Sequence, residues 1–466
     1  MDKKIEYKRL LRKFDFKTIL EYVSNNQNID NSSRVEATIG SVSIATTDKH
    51  PMNKITMLGV LEDGCVLCKN KDGRKTIKYE EMLALCSLRN EVKPLGYTSF
   101  EKGEGFGAIF SMSKKQSIMT IGESLPACFQ RDFYIITQID TLMKNNTNLY
   151  LNATNYYESL FGTDITTGLA MVMLFFQDTF QSFKTVLKPP FTKYESFFLR
   201  VFGDYVVYDH GKNNSFIPLR HCLIKVGKQY YVPFFGLLYN RISHILYWRL
   251  KDELKDCQIK NFFPNNFGEY FEEYVDVFLK HSLGEEKYTR IDKIQEADNV
   301  EKPDFEFNKA SISFVVECKS RLISLDDIRK KLCSGIFREK VIEGLSQLKQ
   351  YNSKETDCIK IIVLYEDDFP MIEFFESSLR EKEKLSDNYW IVTIDEFEAL
   401  LGLEDDDFKK VVNYKIKKVL DNKPMSLGNV LKKVGVGKQY SNLYLGYIEK
   451  QINDKANEIL NLYNSI

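Results

Sequence analysis

Several things this 466-residue chain lacks narrow the field before any motif is read. Its opening, MDKKIEYKRLLRKFDF, is charged and holds no continuous apolar run, so no secretory leader is expected. No stretch has the length and cleanliness of a bilayer span. Gly168–Phe176 (GLAMVMLFF) is far too short, and Tyr230–Leu250 carries Pro233, Asn240, Arg241, His244 and Arg249, so both read as core. The nine cysteines form no disulfide frame, which points to reduced thiols and a cytoplasmic setting. Cys65 and Cys68 make one CxxC, but no second Cys or His pair stands at zinc spacing, and this argues against a structural zinc site. The glycine-rich piece Glu101–Phe110 lacks the strand-then-helix context and the Lys-Ser/Thr ending of a phosphate loop, and reads as a turn. No internal repeat and no helicase motif is visible. His210 and His221 have no paired ligands and are read as ordinary core or surface histidines.

Net charge is absent too, since 65 basic residues balance 65 acidic ones. The balance hides an asymmetry: residues 264–400 carry roughly −11, 1–263 roughly +8 and 401–466 roughly +3. An acidic middle with basic flanks fits a carboxylate-rich centre served by separate polyanion-binding surfaces.

The composition, 43% hydrophobic and 28% charged, is that of an ordinary soluble globular protein, and the length predicts two or three domains. Four regions are expected: 1–115, 116–260, 261–402 and 403–466. In the first, Ile55–Leu85 shows short apolar runs split by Asp63-Gly64 and Asp72-Gly73, which predicts a small antiparallel β unit. The second reads as mainly helical, with a hairpin near 218–235 turning at Val226-Gly227-Lys228. The third runs helix, three strands, helix, strand, helix, with Tyr389–Leu401 a strand leading into the last helix, an α/β sheet covered by helices on both faces. The last reads as a helical polar tail with one basic loop around Lys432, Lys433 and Lys438; there, as on most charged helices, a solvated face is the expected reading. Asp326-Asp327 are read as a helix cap.

The third region holds EKPDFEFNKASISFVVECKSR, Glu301–Arg321. Glu317 and Lys319 close an otherwise apolar strand, where charge is costly unless something pairs with it. An Asp at the start of one strand and a Glu at the end of its neighbour place two carboxylates at one sheet edge. Glu317 and Lys319, two apart, share a strand face, while Cys318 points away and can offer only its backbone carbonyl. Two carboxylates and a carbonyl are hard oxygen ligands suited to magnesium or manganese, and such an ion with a nearby cation is what phosphodiester hydrolysis requires.

Pro303-Asp304 and Glu317-Cys318-Lys319 resemble the PD-(D/E)xK nuclease superfamily, whose fold is restriction-endonuclease-like, over about residues 264–400. The resemblance implies a mixed sheet flanked by helices, with Asp304 and Glu317 as magnesium ligands and Lys319 assisting the water. It also implies an acidic ligand from the preceding helix, for which Glu272 matches best, with Glu269 and Glu273 as rivals. Gln347 and Tyr351 look like the Q-x-x-x-Y element of the RecB-like branch, which faces substrate. The expectation is a magnesium-dependent deoxyribonuclease, a bacterial restriction or phage-defence effector by analogy, whose basic amino-terminal half contacts DNA or a partner subunit. The alternatives are a non-catalytic binding protein on the same fold and an RNA-directed nuclease.

Overall fold

Three short polar side chains start the helices of the amino-terminal region. Asp2, Asp15 and Asn53 accept hydrogen bonds from the backbone N–H groups of Lys4, Lys17 and Thr56, satisfying donors that a helix end leaves open. The helices they open are Lys3–Leu11, Phe16–Asn25 and Lys54–Leu67. This computed structural model describes residues 2–26, 35–39, 42–46, 52–68, 73–92, 125–182, 184–186, 205–208, 222–254, 262–291, 302–320, 322, 333–351, 358–366, 372–386, 388–421, 424–436 and 445–464. The chain divides into two units, one made of 1–121, 158–245 and 452–466, the other of 122–157 and 246–451.

In the first unit the three helices pack together with Tyr79–Val92, and β1 (Val35–Ile39) pairs with β2 (Val42–Thr46) as an antiparallel hairpin. A four-stranded sheet contains β3 (Lys184–Val186), β4 (Tyr205–Tyr208), β5 (Leu223–Val226) and β6 (Gln229–Tyr231), in the order β3-β6-β5-β4. The expected turn joins β5 to β6, and Gly227 supplies the left-handed φ of +63° that it needs.

The β unit expected over Ile55–Leu85 is not there. Asp63 and Gly64 lie inside helix Lys54–Leu67, and Tyr79–Val92 is helical as well. Asp63 does not turn a hairpin; its carboxylate accepts from Tyr7 Oη at 2.9 Å and Arg89 Nε at 3.2 Å, tying three helices together. Burial of Met57, Val60 and Leu61 against those neighbours overrides the local Asp-Gly preference. The small antiparallel pair lies earlier, in β1 and β2. The glycine-rich piece 101–110, His210, His221, Asp326, Asp327 and Lys438 lie outside the described residues.

The second unit is built on a five-stranded mixed sheet of order β11-β10-β9-β8-β7. Its strands are β7 (Tyr288–Arg290), β8 (Phe305–Lys309), β9 (Ile312–Lys319), β10 (Ile359–Leu364) and β11 (Tyr389–Thr393). The first three are antiparallel, and β9, β10 and β11 run parallel. On one face, Phe307, Phe314 and Trp390 pack with Phe397 and Phe408 from helices Ile394–Leu401 and Asp405–Leu420. Tyr365, just beyond β10, meets Phe267 and Phe271 of helix Phe262–Leu283, with ring centroids 5.1 Å apart in each case. Helix Cys333–Gln350 covers the opposite face, where Gly344 lies against Glu317, Lys319 and Ile362. Among the described residues no helix is long and apolar enough to cross a membrane.

The β8–β9 hairpin turns on Ala310 and Ser311, both left-handed at φ +53° and +64°. A two-residue turn of this kind favours Asn-Gly, and each non-glycine residue held there costs about 1–2 kcal/mol. Ala310→Asn with Ser311→Gly is therefore expected to stabilise the fold by about 1–2 kcal/mol in urea denaturation, and an unchanged midpoint would count against strain at this turn.

Helix Leu125–Tyr134 belongs to the same unit through a fully buried charge cluster. Arg131 donates to Glu398 Oε1 at 3.0 Å and to Oε2 at 3.1 Å, and it also pairs with Asp395. Tyr274 Oη donates to the same Glu398, 2.5 Å away. Burial alone would make Arg131 easier to deprotonate, but the two carboxylates hold it firmly charged. Arg131→Ala would strand both carboxylates in the core. It is expected to cost about 3–5 kcal/mol, measurable as a lowered denaturation midpoint.

Candidate active site

The face-alternation of β8 and β9 gathers the predicted residues. Phe305 pairs with Val316 on the aromatic face of the sheet, so Asp304, Glu306, Glu317 and Lys319 fall on the face covered by helix Cys333–Gln350. Asp304 and Glu317 are buried, at 4% and 3% exposure, and Cys318 turns its side chain into the other face. Pro303 precedes the ladder, where its missing N–H costs nothing, and Asp304 N–H donates to Val316 O at 2.9 Å.

The Asp304 carboxylate curls over the end of the ladder, where its Oδ2 accepts from Cys318 N–H at 2.7 Å. Because an extended residue sends its N–H and C=O to the same strand edge, the Cys318 carbonyl leaves toward Asp304 as well. Lys319 Nζ donates to Glu317 Oε1 at 2.6 Å and to Gln347 Oε1 at 3.0 Å, with Glu343 Oε1 at 3.7 Å. Its carbonyl accepts from Tyr365 N–H at 3.0 Å, which fixes the backbone beneath the ammonium.

Glu317 is the strained member. Burial and then the neighbouring Asp304 charge push its carboxyl up to about 8, with Lys319 pulling the other way and Glu272 adding a smaller push. Burial opposes the Lys319 charge, but Glu317 and Glu343 hold it above the ordinary lysine value. The second Glu317 oxygen, Oε2, is buried with no hydrogen-bond partner. An orphaned buried carboxylate oxygen beside Asp304 and the Cys318 carbonyl is a donor set that fits a hard divalent cation. Among the described residues no three His, Cys, Asp or Glu side chains converge as a metal cluster, so such an ion would complete its shell with the carbonyl and water.

The remaining predicted residues divide. Gln347 reaches Lys319 directly. Tyr351 lies farther along, where its hydroxyl bonds Glu306 and burial pushes it up to about 12. Of the acidic candidates on helix Phe262–Leu283, Glu273 is committed to Arg290 at 2.5 Å, and Glu272 is the one whose charge reaches Glu317. Two residues escaped sequence reasoning. Glu343 flanks Lys319, and Gly344 lets the helix close in: a Cβ there would stand 3.1 Å from Lys319 Cε and 3.2 Å from Glu317 Cγ. The only signal for it was a glycine in a helix interior, three positions before Gln347. Away from the site, Cys65 and Cys68 are buried thiols, each pushed up to about 12 chiefly by burial. Lys432 and Lys433 are exposed at the end of helix Leu427–Val434.

Comparison with protein-family models, curated proteins and solved structures finds no match to this chain.

A carboxyl raised from 4.5 to about 8 binds more protons folded than unfolded between those values, so its contribution to stability is lost as pH rises through that window. The metal-free wild type is expected to lose melting temperature from pH 5 to about pH 8, and Glu317→Gln to flatten that decline. Parallel slopes for the two proteins would show that Glu317 is not the titrating group.

Proposed function

We propose that this chain is a divalent-cation-dependent nuclease on a restriction-endonuclease-like sheet, acting on DNA. One observation carries the reading: Asp304, Glu317 and Lys319 share one sheet face, with a buried carboxylate oxygen of Glu317 left without a partner. Asp395 Oδ2 in the Arg131 cluster is orphaned as well, so the Glu317 oxygen counts here for its company: a second buried carboxylate, Asp304, whose charge adds to the rise of Glu317. The mixed five-stranded sheet, with β9 central and its charged end at the edge, supports the same reading.

Asp304, Glu317 and the Cys318 carbonyl would hold magnesium, or manganese, which supplies charge neutralisation at a phosphate and a more acidic bound water. Lys319 is clamped by Glu317 and Gln347, with Glu343 3.7 Å off, and its third N–H would turn from Glu343 to the attacking water or a phosphate oxygen. Holding the amine in place removes an orientation cost from the reaction. Glu272, set back on helix Phe262–Leu283, adds negative charge that favours the cation. Tyr351, held by Glu306, extends the same face away from the ion and offers a ring surface to substrate. The pairing of such a domain with a basic amino-terminal half and no helicase motif suggests a bacterial restriction or phage-defence effector, by analogy alone.

Wild type, Lys319→Ala and Glu317→Gln are to be compared on supercoiled plasmid, linear duplex and RNA, with magnesium or with chelator. Magnesium-dependent cleavage of DNA is expected from wild type, with both variants slower by about 100-fold or more. Magnesium should also raise the melting temperature of wild type and not of Glu317→Gln. Absence of cleavage of either nucleic acid, or a Lys319→Ala enzyme as fast as wild type, defeats the catalytic reading. Preference for RNA redirects it.

A further inference from the structure

A nuclease built on this acidic unit has a binding problem. Residues 264–400 carry roughly −11, so at physiological salt the surface around the site repels a polyanion more than it attracts one. Affinity for nucleic acid has to come from elsewhere in the chain, and the first unit contains a place formed for it.

Two segments of that unit lie side by side. Arg74 N–H donates to Lys13 O at 2.8 Å, Asp15 N–H donates to Arg74 O at 3.2 Å, and Thr18 Oγ1 donates to the same Arg74 carbonyl at 3.1 Å. Gly73 makes the approach possible, because a Cβ there would stand 2.5 Å from Asp15 N and 2.6 Å from the Phe14 carbonyl carbon. Backbone atoms cannot yield to such a clash as a flexible side chain can. The interlock therefore holds Arg12 and Lys13 beside Arg74 and Lys75, all four exposed, with exposed Lys78 following.

Two of the acidic groups nearby are already engaged. Asp15 is 9% exposed and caps helix Phe16–Asn25, and Glu81 holds Arg74 at 2.5 Å while accepting from Lys78 N–H. Among the described residues Arg12, Lys13 and Lys75 have no ion-pair partner. Paired segments stand about 5 Å apart, which confines the four cations to a span of about 10 Å. Duplex DNA presents one charge per about 1.7 Å of axis, so a patch of this width faces several phosphates at once.

We propose that Arg12, Lys13, Arg74 and Lys75 form a docking surface for the phosphate backbone of duplex DNA, positioning the substrate without reading its sequence. The proposal rests on the nuclease reading for its choice of partner, but its test does not need cleavage. Binding through phosphates fixes register and carries a strong salt dependence, with no need to touch the bases.

The test uses the full chain with chelator present, so that no DNA is cut, and a fluorescently labelled 30-base-pair duplex followed by anisotropy from 50 to 300 mM salt. The triple variant Arg12→Gln, Lys13→Gln, Lys75→Gln leaves Arg74 on Glu81 and is expected to bind at least tenfold more weakly at 100 mM salt. Its plot of log affinity against log salt should be shallower by about 2.7, because each of three phosphates no longer neutralised lowers the slope by about 0.9. Arg12→Lys, Lys13→Arg, Lys75→Arg should bind as wild type does, and Lys409→Gln, Lys410→Gln, Lys417→Gln, an equal charge loss elsewhere, should keep the wild-type slope. No duplex binding by wild type, an unchanged slope in the triple variant, or an equal loss in the 409/410/417 control would overturn the proposal. Tighter binding of single-stranded RNA than of duplex would overturn the choice of partner. A wild type that binds DNA through this patch but never cleaves it sinks the nuclease reading and leaves the surface standing.

Discussion

The antiparallel register of β8 on β9 pairs Phe305 with Val316 and Glu306 with Val315, and side chains along a strand alternate with a period of two. Those two facts send Phe305, Phe307, Phe314 and Val316 to one face and Asp304, Glu306, Glu317 and Lys319 to the other. A slip of one residue would exchange the sets, placing four charges among the rings of Phe397 and Phe408 and the phenylalanines under helix Cys333–Gln350. The aromatic packing on one side thus enforces the charge cluster on the other. The left-handed Ala310-Ser311 turn adds a second lock on the same register, because a two-residue hairpin admits no slack.

Charge burial in this unit is of two kinds. Around Arg131, two carboxylates and a tyrosine answer a guanidinium, so a buried cation is matched by more than its own charge, although Arg131 Nη1 and Asp395 Oδ2 are left without a hydrogen bond. At the sheet edge the sum is uneven: the Lys319 ammonium pairs with Glu317, while the Asp304 carboxylate is held by the Cys318 N–H, and burial with the Asp304 charge pushes Glu317 far above an ordinary glutamate. A hydrophobic pair of the same volume would serve stability as well or better. The uneven cluster is a cost to folding, and such costs gather where a ligand or a reaction needs them.

The sheet was legible because its strands are written in long apolar runs broken by single charges. VVECK announces a buried strand whose last residues alternate faces, and Pro303 marks where the neighbouring strand begins. The order helix, three strands, helix, strand followed from period changes, but helix Ile372–Glu383, between β10 and β11, was not anticipated. What failed was local: Asp63-Gly64 has the chemistry of a hairpin, but Tyr7 and Arg89, 56 and 26 positions away, claim the carboxylate for helix packing. Arg131 meeting Glu398 across 267 positions has no signature in a single sequence. Tyr351 shows a milder version of the same limit. Its helix and position were readable, but its partner Glu306 was not, since hydrogen bonding across elements depends on how far the helix has slid along the sheet.

Gly344 has a bearing on anyone who would engineer this protein. A glycine in a helix interior gives up about 1 kcal/mol relative to alanine, so a stability screen or a consensus-style redesign would single it out for replacement. Alanine at 344 would place a methyl carbon where Lys319 Cε and Glu317 Cγ leave only 3.1 and 3.2 Å. Lys319 and Glu317 would have to give by a few tenths of an ångström, at the side chains whose positions set the charge cluster. The stability of the helix and the placement of the charge cluster meet at this single atom, and a melting curve alone reads only the first of them.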